Sequence, residues 1–579
     1  MTAWRRDLIF ASALAALLAV CWTVHEWSSL RWLVLPDNDD MMRLQQVRDW
    51  LAGQRFADWT QYKLAPPEGG PMHWSRLNDL GVAAIILAVR PLAGTYIAEL
   101  AAVLLYPAIL FAIFLTLITQ VGRRLHGRHA ALPTMVIAAC AYPAQSLFLP
   151  GRIDHHALQI VLLCAAMLAQ TLRASRTTGM AAGAAIALSL GVGLETVPAA
   201  AALMAAQFAI WVWRGPAERD RLFGYGTGLL GTTLMLFAIA RPLQWSAAWC
   251  DAFTPASVSG ALAGGGAWLA LAAATPELAH WRSRLLVGGA LGALCGGALL
   301  LAYPGCVSGP YGPMDPVVRH AFMDNVLEAT GVWSRRTIGW GLPNAGMTLV
   351  AVLALAAFAA KRRLRWDRWL PVAAVLVMSA LVMLVQTRGA YVGTAVAAPV
   401  LAGLVLAARR MARARSLAVV GAWLLSAGSV WLVLPVAADG YLHRELTSPV
   451  SVFENCKAAD VWRQLDRYPR GTMMAAMDMG AYVIAGSHHA SVAAGYHRSN
   501  RGNRAMYDFF LSPPERARAI GRDWSVDYVL LCPTDFSELK VETAHRRSLA
   551  TALLQGRVPA WLERAPLQGT GLRLYRVRR

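Results

Sequence analysis

Three carboxylates open the first polar stretch of this 579-residue chain, Pro36-Asp37-Asn38-Asp39-Asp40-Met41-Met42-Arg43. Asp37 and Asp39 are two residues apart, and Arg43 stands six after Asp37. Acidic residues are scarce, 34 Asp and Glu against 54 Lys and Arg. Crowding three of them beside a long apolar run is electrostatically costly unless a cation compensates. The stretch therefore reads as half of a divalent-metal site, with the other half expected on a second loop at the same face.

That second half is Gly151-Arg152-Ile153-Asp154-His155-His156, a short turn between two apolar runs. Asp154 and His156 are spaced to point at one ion, with His155 expected to turn away. Carboxylate oxygens with one imidazole suit Mg²⁺ or Mn²⁺, and the nitrogen favours Mn²⁺. The competing reading is that Asp154 only caps the next helix, because Asp is a good N-cap.

Two further residues stand out. Glu328 lies in a long polar loop, where the ordinary reading is a solvated carboxylate. Arg388 lies in Gln386-Thr387-Arg388-Gly389, between two apolar runs with almost no loop. A guanidinium there matches a phosphate bidentately, or it is a snorkelling span end. Toward the C-terminus, Asp478-Met479-Gly480, His488-His489 and His497-Arg498 offer either an acceptor surface or plain loop polarity. A Walker loop, a nucleophile elbow and an HEXXH sequence are all missing, so ATP hydrolysis and serine-hydrolase chemistry have no support.

Composition decides what positions these groups. Hydrophobic residues make up 56% of the chain and charged residues 15%, with mean hydropathy +0.42. Soluble domains carry about 25% charge, so the fold class is a polytopic α-helical membrane protein. Apolar runs near 8–35, 100–121, 130–150, 156–172, 178–194, 197–213, 222–240, 258–275, 284–302, 344–360, 369–386, 390–407 and 416–435 give about thirteen spans. Arg90-Pro91 is expected to break the short run Leu80–Ala88 into an interfacial helix. The net charge of +20 is not a nucleic-acid signal. Its basic clusters, such as Arg123-Arg124 and Lys361 to Arg368, alternate with the spans in the positive-inside pattern. That pattern puts the N-terminus inside. The long loops 36–98 and 303–343 then lie outside, together with a polar C-terminal α/β domain from residue 437. In that domain Met473–Met477, Tyr482–Ala485 and Tyr528–Cys532 read as strands. Glu454–Leu465, Arg504–Leu511 and Pro514–Ile520 read as helices. Cys21, Cys140, Cys164 and Cys295 fall in or near apolar runs and read as packing residues. Cys456 and Cys532 are able to pair if this domain faces an oxidising compartment.

These pieces, in this order, resemble the catalytic subunit of oligosaccharyltransferase and the wider GT-C class of membrane glycosyltransferases. The family's Asp six residues before an Arg is similar to Asp37 and Arg43. Its Asp and His two apart resemble Asp154 and His156. Its late-loop Glu motif resembles Asn325-Val326-Leu327-Glu328, and its lipid-diphosphate Arg resembles Arg388. The resemblance implies an inner-membrane enzyme that moves a sugar from a polyprenyl-(di)phosphate donor to a glycan, lipid or protein acceptor. It implies Mn²⁺ or Mg²⁺ held by Asp37, Asp154, His156 and Glu328, and proton acceptance by Asp37 or Asp39. It also implies donor phosphate on Arg388 and Arg43, and acceptor contacts at Asp478, Gly480 and His489. One departure is plain: where the family has Trp-Trp-Asp-Tyr-Gly, this chain has Ala476-Met477-Asp478-Met479-Gly480. The rival class is a transporter or flippase for a lipid-linked or anionic substrate, because charges at the edge of a membrane also mark ion paths. One-face clustering and the lack of repeat symmetry count against it.

Overall fold

The computed structural model describes residues 3–309, 311–334, 337–361, 364–411, 416–442 and 456–578. Up to residue 442 the chain is almost wholly helical, and every apolar run named above carries helix. In chain order the helices are α1 (Ala3–Leu30), α2 (Asn38–Leu51), α3 (Asp79–His126), α4 (Ala131–Ala139), α5 (His156–Thr171), α6 (Arg176–Val192), α7 (Val197–Arg214) and α8 (Arg219–Ala240). There follow α9 (Pro255–Ala274), α10 (Trp281–Ala302), α11 (Pro316–Ala321), α12 (Ile338–Ala360), α13 (Trp366–Val382), α14 (Gly389–Met411), α15 (Ser416–Ser426) and α16 (Gly428–Leu442). Among the described residues seven stretches are long and apolar enough to cross a membrane, or eight if α15 and α16 are one bent span.

Several elements differ from expectation. The run 130–150 is not one helix: α4 stops at Ala139, and a turn through Cys140–Pro143 leads into a 3-10 helix, Ala144–Phe148. Proline has no N–H to continue a helical ladder. The break after Leu80–Ala88 falls at Gly94 (φ 79°, ψ 171°) rather than at Arg90-Pro91, and Pro91 is carried inside the helix. The run 416–435 is bent by 80°.

The C-terminal part holds a five-stranded mixed sheet of β3 (Thr472–Ala475), β4 (Ala490–Ser491), β5 (Val526–Leu531), β6 (Leu562–Ala565) and β7 (Arg573–Val577), in the order β4-β3-β5-β7-β6. (β1, Thr60–Gln61, and β2, Gly70–Pro71, form a small hairpin in the first loop.) β3 runs parallel to β4 and β5, and β7 runs antiparallel to β5 and β6. The central β3 and β5 are buried along most of their length, which explains their near-continuous apolar sequences.

Tyr482–Ala485 is not a strand. It lies within the helix Met477–Gly486, which packs on α2, and its Tyr482 hydroxyl bonds the Leu35 and Pro36 carbonyls just before α2 at 3.2 and 3.3 Å. Tertiary packing here overrides the β preference of Tyr-Val-Ile. The helices at Asn500–Leu511 and Pro514–Asp523 are as expected. Of Glu454–Leu465, only Val461–Leu465 is an α-helix, and its first two residues lie outside the described residues. Cys456 and Cys532 are joined in a disulfide. So are Cys250 and Cys306, a pair the sequence reading missed.

Candidate active site

α2 begins at the acidic stretch because Asp37 caps it: its carboxylate accepts the Asp39 N–H at 3.1 Å. Asp39 and Asp40 occupy the first turn, where the helix dipole favours negative charge. Asp40 is fully buried and joins the two loops expected to share the site. Its Oδ1 accepts the backbone N–H groups of Ile153 and Asp154 at 2.8 and 2.9 Å. Arg152 Nη1 sits between Asp40 Oδ2 at 3.2 Å and Asp37 Oδ2 at 3.0 Å. Burial and the neighbouring Asp37 and Asp154, partly offset by Arg152, push the Asp40 carboxyl up to about 7.

Asp154 does not cap α5. The residue at the cap is His155, with no side-chain cap bond, and the Asp154 carboxylate is instead shared between two imidazoles. His155 Nδ1 lies 2.5 Å from Oδ1, and His156 Nδ1 bonds Oδ2. His155 therefore does not turn away, as the sequence reading expected. It is buried, and its Nε2 lies 3.2 Å from Glu195 Oε1. Burial alone would lower the His155 ring's affinity for a proton, but Asp154 and Glu195 outweigh it and raise the ring to about 10. Burial opposes ionisation of Asp154, yet His155 and His156 hold its carboxyl well below the usual range.

Arg43 braces this group from within the protein. It is fully buried, donates to Asp79 at 2.9 Å, reaches Asp154 at 3.4 Å, and lies over the Trp74 ring at 4.6 Å. Phosphate binding by Arg43 finds no support in this position, because the side chain is spent on Asp79, Asp154 and the Ser75 carbonyl and is not part of the cavity wall.

The cavity has a volume of about 1090 Å³. Asp37, Asp39, Asp154, His156, Glu328 and Arg388 all line it, so four segments far apart in sequence converge there. Glu328 accepts from Arg388 Nε at 3.1 Å and from the Tyr391 hydroxyl at 2.9 Å. Asp39 lies within electrostatic reach of Asp37, Asp154 and Glu328, and Asp37 within reach of Asp154. Burial and the charges of Asp154 and Asp37 raise the Asp39 carboxyl well above its ordinary range.

A cation fits this donor set. Among the described residues no basic side chain pairs with Asp39, and His156 Nε2 is buried without a partner. Asp154, His155 and His156 offer ligand atoms within 4.8 Å of one another. Of these imidazoles only His156 lines the cavity, because His155 is taken up by Asp154 and Glu195.

Of the acceptor-side residues, Asp478 lines the cavity beside Lys457 and Glu538. Gly480 does not. It lets its helix approach the chain after β4, where any side chain would collide with the Ala493 carbonyl. His489 is also away from the cavity: it is buried and bonded to Leu465 O and Gly471. His497 is in the wall, with Nε2 2.5 Å from Asp251 Oδ2, and Arg498 pairs with the same carboxylate.

Sequence reasoning passed over Glu195, Asp251, Arg152 and Tyr391. For the first two a signal existed, since each is a lone carboxylate in a turn assigned to the same face as Asp37. Arg152 stood inside a motif read only for Asp154 and His156.

No protein-family model matches the sequence, and no curated protein matches it. Solved structures do match the fold, all at low sequence identity. One is the archaeal oligosaccharyltransferase AglB from Archaeoglobus fulgidus in complex with an inhibitory peptide and a dolichol-phosphate. It has a TM-score of 0.64 at 14% identity, over 91% of this chain and 69% of that one. The A. fulgidus enzyme tethered to an acceptor peptide containing the NVT sequon gives 0.66 at 15% identity, over 94% and 72%. Its complex with Zn and sulfate gives 0.62 at 14%, over 90% and 67%. The resemblance read from the short motifs thus holds at the level of the whole fold: this chain has the architecture of the oligosaccharyltransferases, a GT-C fold.

Proposed function

We propose that the protein is a membrane glycosyltransferase that moves a sugar or oligosaccharide from a polyprenyl-(di)phosphate donor to an acceptor on the extracytoplasmic side. One observation carries this reading. The cavity that gathers Asp37, Asp154, His156, Glu328 and Arg388 is also walled by the apolar side chains of Ile186, Leu190, Val197, Met204, Leu229 and Ala261, from α6 to α9. An anionic head joined to a long hydrocarbon tail satisfies both halves at once. The fold of enzymes solved with a dolichol-phosphate and with an acceptor peptide supports the same reading.

In this scheme Asp37, Asp154, His156 and Glu328 hold Mn²⁺ or Mg²⁺, which supplies Lewis-acid stabilisation of the departing phosphate. Arg388 binds the phosphate oxygens, with Glu328 and Tyr311 fixing its guanidinium. Asp37 or Asp39 accepts the proton of the attacking group, and attack opposite the leaving group inverts the anomeric carbon. Asp40 and Arg152 hold the two carboxylate loops in register. Asp478 faces the acceptor, which is a glycan, a lipid or a protein. The Trp pair that would mark a sequon is replaced here by Ala476 and Met477.

The thirteen-span topology, with the cavity and the C-terminal domain outside, belongs to the same proposal. The alternating basic clusters support it. So do two disulfides in segments at this end of the protein, because such bonds persist in oxidising compartments. The test is saccharide release or transfer from lipid-linked saccharides extracted from cells that make the protein. Asp37→Ala or Asp154→Ala should cost at least ~10²-fold, as removal of a transition-state stabiliser does. Full turnover in either variant would refute the scheme.

A further inference from the structure

The donor head group meets more than Arg388. Arg152 lines the same cavity and uses only Nη1 on Asp37 and Asp40. Its Nε and Nη2 have no partner among the described residues, yet they are not sealed from the cavity as a buried orphan would be. Arg388 is arranged likewise. Nε pairs with Glu328, Nη1 reaches the Tyr311 hydroxyl at 3.3 Å, and Nη2 has no partner among the described residues. The Tyr391 hydroxyl donates to Glu328, the partner of Arg388, and lies within electrostatic reach of Arg152.

Neither arginine is free to leave. Arg152 is tied to α2 through Asp37 and Asp40, and Arg388 is tied to Glu328 of the long loop. Arg152 presents a fixed Nε/Nη2 edge, the geometry that recognises phosphate oxygens bidentately, and Arg388 presents its Nη2. One guanidinium suffices for one phosphate. Two, on separate elements and lining one cavity, match two phosphates joined in line.

We propose that Arg152 and Arg388 form a two-guanidinium clamp that selects a polyprenyl diphosphate over a polyprenyl monophosphate. The proposal rests on the lipid-linked donor reading and names which donor it takes. Arg388 holds one phosphate and Arg152 the other. Arg152 also keeps the acidic loops together, so binding of the second phosphate reports directly on the geometry of Asp37 and Asp154.

The experiment measures equilibrium binding of farnesyl diphosphate and farnesyl monophosphate to the purified full-length protein in detergent with Mn²⁺ present. The wild type, Arg152→Gln and Arg152→Lys are compared, and thermal unfolding checks each variant. The wild type should prefer the diphosphate by at least about tenfold, the worth of one added charge-assisted hydrogen-bonded pair. Arg152→Gln should lose that preference, its diphosphate affinity falling to or below its monophosphate affinity. Arg152→Lys, which keeps the charge but not the fork, should retain only part of it. Equal affinities in the wild type, or an undiminished preference in Arg152→Gln, would overturn the clamp and leave the donor reading standing. The wild-type ratio decides even if both variants fail to fold. Failure of both lipids to bind the wild type would overturn the clamp together with the donor reading.

Discussion

Asp79 Oδ1 accepts a 2.9 Å hydrogen bond from Arg43 Nη1 at a point where neither side chain reaches solvent. Through this bond α3 fixes the guanidinium of α2, and that guanidinium reaches Asp154 at 3.4 Å. Removing one partner of a buried ion pair leaves an uncompensated charge. Asp79→Ala should therefore destabilise the protein by about 3–5 kcal/mol and weaken Mn²⁺ binding, although Asp79 is not a wall of the cavity. Thermal unfolding in detergent with a parallel metal titration checks both effects. Unchanged melting would show that Arg43 is held by other means.

Glu195 steadies the opposite side of the same group. It lies 3.2 Å from His155 Nε2 and accepts from Gln159 at 3.0 Å, while His155 Nδ1 contacts Asp154. Partners that orient metal-binding groups are worth about 10- to 100-fold in metal affinity. Glu195→Gln should lower Mn²⁺ affinity by that factor and lower the melting temperature too, because it removes one partner of a buried pair with His155. Metal affinity equal to wild type would remove Glu195 from the account.

Thiol chemistry tests which way the cavity faces. Cys250–Cys306 and Cys456–Cys532 are disulfides, while Cys21, Cys140, Cys164 and Cys295 are free. Protein isolated with thiols trapped should therefore show four maleimide-reactive cysteines after unfolding, and eight after reduction. Eight reactive thiols before reduction would place these segments in a reducing compartment, against the proposed topology.

Acid stability should report on Asp251. Burial works to raise its carboxyl, but the His497 bond and the Arg498 charge overcome it and hold the group below its ordinary value. A carboxylate depressed in the folded state adds stability that is fully present above its unfolded pKa of about 3.9. That stability is lost as pH falls toward the folded value. Asp251→Asn should thus melt below wild type at pH 7, and the gap should narrow as the pH drops below about 4. A gap that stays constant or widens in acid would contradict the pairing. Melting curves at several pH values decide.

Asp37, Asp154, His156 and Arg388 were legible in the sequence because in so apolar a chain a polar residue between apolar runs stands out, whereas Glu328 read as an ordinary loop carboxylate and only the family resemblance singled it out. The helix runs were legible from length and hydropathy alone. Other features depended on contacts between distant residues. Arg43 was assigned to donor phosphate on the family resemblance, and only the fold brings Asp79 against it. His155 was set aside on spacing, but Glu195, forty residues on, turns it toward Asp154. Tyr482–Ala485 has strand composition, yet docking on α2 makes it helical. Gly480 and His489 stood near Asp478 in sequence, but Gly480 packs against Ala493 after β4 and His489 bonds to Leu465 and Gly471, which leaves both away from the cavity.

The central claim is that two loops, one at Asp37 and one at Asp154, share a divalent cation. The most direct measurement is Mn²⁺ binding to purified detergent-solubilised protein, wild type against Asp154→Ala and Asp37→Ala. The account predicts binding in the wild type and its loss, by at least about tenfold, in each variant, since each removes a carboxylate ligand. Absence of Mn²⁺ and Mg²⁺ binding in the wild type, even with farnesyl diphosphate present, would contradict it.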